Sequence, residues 1–269
     1  MSNRIDATLD ALAKSGRNAL VPFLTVGYPD LETSAELARV VLESGADMLE
    51  LGVPFSDPLA DGPTIQRTSF QALQQGVNVD TCLEVVRRLR REWVDSPLIF
   101  MGYLNPFLNY GMERFARDAA EAGLDGVIVP DLPSEEAGLF AGVLDAQGIY
   151  VIPLLAPTSS DKRIEQACRR AKGFIYCVSL TGVTGARTEL GIGVQDLVER
   201  VRRFTDLPLL VGFGVSRIEH VEAIAKFADG AMVGSALLDA VGNAPKGRVL
   251  ETAREFIEGL TMPDGVEKK

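Results

Sequence analysis

Eight short apolar runs, each followed by an amphipathic stretch, limit most strongly how this chain can fold. The runs are Ala19 to Val26, Ala46 to Val53, Pro97 to Tyr103, Asp125 to Val129, Ile149 to Leu155, Phe174 to Ser179, Leu209 to Gly212 and Ala231 to Val233. Between them, apolar residues recur at helical spacing over Leu31 to Glu43, from Pro63, and over Val79 to Trp93 and Met112 to Ala122. The same spacing returns from the Ser134 to Glu136 helix start to Asp145, and over Asp161 to Ala171 and Val194 to Phe204. Continuous apolar strands need cover on both faces, and parallel strands need crossover helices. The pattern therefore predicts an α/β fold, a single (β/α)8 TIM barrel, with an open doubly wound sheet as the alternative. SGAD, AGLD and FADG, each ending a helix and launching a strand, suggest one βα unit used repeatedly. Ahead of the first strand, Ile5, Leu9, Leu12 and Ala13 make an extra N-terminal helix that Gly16 ends, suited to plug the barrel floor. Residues 1–269 read as one domain, with 1–16 as this helix and 263–269 as a frayed polar tail.

Composition narrows the function. A chain of 269 residues, 46% hydrophobic and 24% charged, can bury the core of one such barrel. Its formal net charge of -10 disfavours nucleic acid and anionic membranes, which select clustered lysine and arginine. No apolar run approaches the roughly 20 residues needed to span a bilayer. The first residues carry charges where a secretory signal has a continuous apolar run, so a cytoplasmic location is expected. Cys82, Cys168 and Cys177 are too scattered for a disulfide framework or a metal site, and Cys177 reads as a small buried hydrophobe. The single His220 lies in a polar helix start, which argues against a Ser-His-Asp mechanism.

Chemistry concentrates in Leu49 to Gln66, LELGVPFSDPLADGPTIQ. Glu50 is the odd member of an apolar strand, sharing a face with Met48, and burying an ionised carboxylate without partners is costly. Asp61 follows in a loop stiffened by Pro54, Pro58 and Pro63. Two readings stay open: both acids serve one cavity, or Glu50 pairs with a base while Asp61 caps the helix beginning at Pro63. After strand six, SLTGVTGARTELGIG has the glycine and threonine content of a lid. GFGVS after strand seven and VGSAL after strand eight join glycine turns to helix starts, where backbone N–H groups bind phosphate, unless the glycines only permit tight turns. Neither a G-x-G-x-x-G nor a Walker pattern accompanies them, which favours a small phosphate ester over a nucleotide. Phe23, Tyr103, Tyr176 and Phe213 either wall a flat pocket or are plain core. Lys172 and Lys226 precede strands, which disfavours a Schiff-base aldolase.

LELGVPFSDPLADGP, YLNP, VPDLP, SLTGVTG, GFGVS and GSA, in this order, resemble the motifs of the tryptophan synthase alpha chain family over nearly the whole chain. The resemblance implies retro-aldol cleavage of indole-3-glycerol phosphate to indole and glyceraldehyde 3-phosphate. It implies Glu50 as the catalytic acid and base and Asp61 as the acceptor of the indole N–H. It further implies an indole pocket walled by Phe23, Tyr103, Tyr176 and Phe213, a lid residue Thr184 that orients the aspartate, and phosphate turns at Gly185, Gly214, Gly234 and Ser235. No cofactor is implied in this chain. Pyridoxal phosphate is expected in a partner beta subunit, in an alpha2-beta2 heterotetramer, with the loops Pro54 to Pro63 and Asn105 to Gly111 as the contact surface. A free-standing lyase that releases indole, and a silent barrel that only regulates a partner, are the competing readings.

Overall fold

The computed structural model describes residues 3–178, 193–212 and 214–261. Within them the strand segments are β1 Ala19–Thr25, β2 Leu49–Gly52, β3 Leu98–Met101, β4 Gly126–Ile128, β5 Tyr150–Ile152, β6 Leu154–Leu155, β7 Ile175–Val178, β8 Leu209–Gly212 and β9 Gly230–Val233. The helices are α1 Arg4–Lys14, α2 Leu31–Glu43, α3 Pro63–Gln74, α4 Val79–Glu92, α5 Leu104–Tyr110 and α6 Met112–Ala122. They continue as α7 Gly138–Asp145, α8 Asp161–Arg170, α9 Val194–Arg202, α10 Ile218–Ile224, α11 Ser235–Asn243 and α12 Val249–Glu258. All strand pairs are parallel, in the order β5-β4-β3-β2-β1-β9-β8-β7-β6.

The ends of that order are consecutive in the chain, so the sheet is a barrel closed through one stretch. The expected fifth strand, Ile149 to Leu155, is split at Pro153, which has no N–H for a ladder. β5 pairs with β4 and β6 with β7, and the Pro153 carbonyl still accepts the Tyr176 N–H at 3.0 Å, which carries the ring across the break.

Other elements differ from expectation for local reasons. YLNPFLNYG is mostly helix, because Phe107, fully buried, packs its ring on Phe115 at 4.5 Å and pulls Leu104–Tyr110 onto α6. The helix expected from Ser134 begins only at Gly138, after a turn in which the Glu136 and Ala137 N–H groups both donate to Pro133 O. The helix start expected right after β8 is instead a bend at Gly214, φ +75°, and α10 begins only at Ile218. α12, unforeseen in the sequence pattern, packs beside α11 and α2.

Side chains alternate across each strand, so Val21, Met48, Ile99, Ile128, Ile152, Phe174, Leu210 and Met232 fill the barrel interior. Ile5, Leu9 and Leu12 of α1 join that interior cluster, so the first helix closes the barrel floor. Each such buried side chain contributes roughly 2 kcal/mol. A Cβ on Gly126 or Gly173 would lie 3.0 Å from Ile5, so these glycines leave room for the plug. Asp125, 2% exposed, fastens the same end by accepting from Arg4 Nη1 at 2.9 Å, Arg90 Nη2 at 2.7 Å and the Leu98 N–H at 2.8 Å. With α1 plugging the floor, the rim at the strand C-termini is, among the described residues, the end left for chemistry.

Candidate active site

Glu50 points inward from β2, on the same face as Met48, and is 1% exposed. Register places it beside Phe23 of β1 and Ile99 of β3. No basic partner meets it: Oε1 is buried and has no hydrogen-bond partner among the described residues. Burial, and then the charge of Asp61, push its carboxyl up to about 8. At neutral pH it is therefore a protonated acid aimed into the barrel.

Asp61 does not cap α3. The N-cap position is Gly62, without a side-chain cap bond, and Pro63 starts the helix, so the carboxylate is left free to turn toward the barrel mouth. There Tyr103 Oη donates to Asp61 Oδ2 at 3.2 Å and accepts the Ala60 N–H at 2.8 Å. Burial raises Asp61 to about 6 while the tyrosine hydrogen bond opposes the rise. The chain backbone is also held: Gln66 Nε2 donates to the Asp61 carbonyl at 2.9 Å, and the Asp61 N–H donates to Pro58 O at 3.0 Å. Desolvation thus sets two different values for two acids in one site, one neutral and one ionised near pH 7.

A cleft open to solvent reaches Asp61 and is lined by Phe23, Gly52, Val53, Phe55, Pro58, Asp61, Ile65, Ser69, Met101, Gly102 and Tyr103. Tyr176 stands on the inner face of β7, where burial first, and then the nearby Glu50 and Asp61 carboxyls, raise its phenol well above the ordinary value and keep it protonated. The structure brings Phe23, Tyr103, Tyr176, Glu50 and Asp61 together. Phe213, Thr184 and Gly185 lie outside the described residues.

Some members of the site were not singled out from the sequence. A Cβ on Gly52 would lie 2.4 Å from the Phe23 ring, and one on Gly212 would lie 2.2 Å from Tyr176 Oη. These two glycines end their strands on the inward face, and their missing side chains are the space the two aromatic walls occupy. Their inward parity was the available signal. Phe55 stacks on Tyr103 with centroids 5.2 Å apart, and Tyr103 is a partner of Asp61 as well as a wall.

Beside this cleft, β8 and β9 pair Gly212 with Met232, and Gly214 and Gly234 each follow two residues beyond that pair in the chain. Gly234 precedes α11 with no side-chain cap bond, and Ser235 is its first residue. Uncapped N–H groups at a helix start, with the macrodipole behind them, suit an anion.

Comparison with known proteins gives this geometry a family context. The profile of the Tryptophan synthase alpha chain family matches residues 9–265. The alpha chain of Roseiflexus sp. (strain RS-1) is 50% identical over 258 residues, 96% of this chain and 99% of that one. Tryptophan synthase of Saccharomyces cerevisiae is 44% identical over 261 residues, 97% of this chain but 37% of that longer protein. Among solved structures, the tryptophan synthase alpha chain of Legionella pneumophila subsp. pneumophila superposes with a TM-score of 0.88 at 37% identity, covering 97% of this chain and 96% of that one.

Proposed function

The chain belongs to the tryptophan synthase alpha chain family, and on that premise we propose that Glu50 moves the protons and Asp61 holds the charge of its reaction. The chain is a lyase of the alpha reaction, cleaving indole-3-glycerol phosphate to indole and D-glyceraldehyde 3-phosphate, with indole passed on for L-tryptophan synthesis. One observation carries the assignment of roles: a buried carboxyl on the inner barrel wall, one oxygen of which has no hydrogen-bond partner among the described residues, close enough to Asp61 to feel its charge.

An aromatic indole is a poor leaving group, so carbon must be protonated first. Glu50, neutral below about pH 8, gives its proton to the ring carbon that bears the glycerol chain. Positive charge then appears at the ring nitrogen, whose N–H the Asp61 carboxylate accepts. The Glu50 carboxylate takes the proton of the adjacent side-chain hydroxyl, the carbon–carbon bond breaks, and its electron pair restores the aromatic ring. Glu50 ends protonated as it began. Phe23, Tyr103 and Tyr176, with Phe213, sandwich the indole, and Thr184 orients Asp61 from the lid.

The phosphate lies against Gly214, Gly234 and Ser235, with Gly185 contributing from the lid. Support comes from the uncapped start of α11 and the open space around Gly214. A Cβ on Gly234 would sit 3.6 Å from Phe23 Cβ, an ordinary contact, so Gly234→Asp should fold and repel phosphate by charge. Calorimetry should show glycerol phosphate affinity reduced by at least about tenfold with indole affinity little changed. Equal phosphate affinity in parent and variant would contradict the site.

The partner is the tryptophan synthase beta subunit, in an alpha2-beta2 assembly in the cytoplasm, and pyridoxal phosphate belongs to that subunit. Leu59, 91% exposed in the loop of Asp61, and Leu108, 45% exposed on α5, give the contact surface its apolar points. Indole release should therefore be slow for the isolated chain and rise by about tenfold or more with saturating beta subunit. A partner that binds without raising turnover would leave the free-standing lyase as the better reading.

A further inference from the structure

α3 and α11 follow different strands yet carry the two halves of the site just described. Asp61 immediately precedes the Gly62 cap of α3, and Gly234 and Ser235 open α11. One side chain joins the two helices. Asp239 lies one turn after Ser235 on the same face of α11, and both of its oxygens accept from Thr64 Oγ1, at 3.1 Å each. Thr64 is in the first turn of α3, three residues beyond Asp61. Arg67, one turn further along α3, donates from Nη2 to Asp239 Oδ1 at 3.0 Å and from Nη1 to Tyr28 Oη at 3.1 Å. Tyr28 belongs to the loop after β1 and is 4% exposed. Its hydroxyl fits where a Cβ on Gly242 of α11 would be, at 2.3 Å, so the glycine lets the tyrosine key against that helix.

We propose that Asp239 is a positioning residue for the alpha reaction, clamping the first turn of α3 to the helix that receives the phosphate and so fixing Asp61 relative to the substrate ring. The proposal rests on the reading of Asp61 and of the α11 start given above. Energetics argue against a purely structural purpose: Arg67 and Asp239 are each about half exposed, and exposed ion pairs contribute little to stability. Geometry argues for positioning, because the ends of the clamp lie three residues from Asp61 and one turn from the phosphate turn. Thr64 anchors the start of α3 on one side and Gln66 holds the Asp61 carbonyl on the other, so releasing Thr64 frees the short link through Gly62. Displacements on the order of 1 Å at a reacting group cost up to about a hundredfold in rate.

The test uses the full chain with saturating beta subunit and indole-3-glycerol phosphate as substrate. Asp239→Ala and Thr64→Val should each lower kcat by about tenfold with KM within about twofold, because the loss is of alignment in the transition state. Combining them should cost no more than either alone, the signature of one shared interaction. Asp239→Asn retains an acceptor for Thr64 and should keep kcat within about twofold of the parent. The pH profile supplies a readout that a structural tie would not move. Asp61 is faced by Glu50 from β2, by Tyr103 from the start of α5 and by Tyr176 from β7; loosening α3 weakens the Tyr103 hydrogen bond and moves the acid limb of kcat to higher pH. Parent-like kcat and acid limb in Asp239→Ala, beside an Asp61→Asn enzyme slowed by about a hundredfold or more, overturn the clamp and leave the catalytic reading standing. An Asp61→Asn enzyme that cleaves at the parent rate overturns both.

Discussion

Glu50→Gln is expected to fold as the parent does and to cleave indole-3-glycerol phosphate at least about a hundredfold more slowly. Glutamine matches the shape of the protonated acid, so the inner wall keeps its packing beside Phe23 and Ile99. What disappears is the transferable proton. The parent should also lose activity as pH rises through about 8, where Glu50 ionises before it can protonate the ring. Stability carries an independent signature. Folding raises this carboxyl from 4.5 to about 8, so over that window the folded chain holds a proton that the unfolded chain has released. The contribution to stability is fully present below 4.5 and is lost as pH rises through about 8. Asp61, raised from 3.8 to about 6, adds a loss of the same sign over its own lower window. Melting temperature should therefore fall between about pH 5 and about pH 9 more steeply in the parent than in Glu50→Gln. Parent-like turnover in the purified variant would remove Glu50 from the mechanism, whatever the melts show.

The trade between stability and activity at this residue also explains which parts of the molecule were legible in the sequence. Period and propensity identified elements whose cause is local: the bounds expected for α2 and α6 are those observed. An apolar strand interrupted by one acid was enough to single out Glu50, because its cost has no structural compensation nearby. Long-range causes were not legible. Pro153 sits within an apolar run that reads as one strand, and only closure of the ring shows its two halves pairing with different neighbours. α5 depends on Phe107 meeting Phe115, and the aromatic walls depend on Gly52 and Gly212 lying across from rings in adjoining strands. Nor does any local pattern connect Thr64 with Asp239, 175 positions apart in the chain. Such contacts are set by the order in which strands adjoin, which a single sequence specifies only through the finished barrel.

Asp61→Asn should bind substrate nearly as the parent does and lose about a hundredfold or more in kcat. The asparagine carbonyl can still accept the indole N–H, so ground-state recognition survives. It carries no charge to set against the cation that forms when Glu50 protonates the ring, and in a buried site that charge is worth more than in water. The loss should therefore fall on kcat and leave KM within a few fold, the pattern of an interaction made in the transition state. The parent pH profile tests the same group. Asp61 is raised to about 6, and as pH falls through that value the carboxylate takes up a proton and its stabilising charge is lost. Rate should drop on the acid side near 6 in the parent, and that limb should be absent from the residual activity of Asp61→Asn. Tyr103 explains why the limb lies no higher: its hydroxyl donates to Oδ2 at 3.2 Å and favours the ionised form against the cost of burial. Initial rates of indole formation across the pH range, with saturating beta subunit, measure all of this in one series. An acid limb unchanged in Asp61→Asn would assign it to another group, and Asp61 would then be no more than a hydrogen-bond acceptor in the ground state.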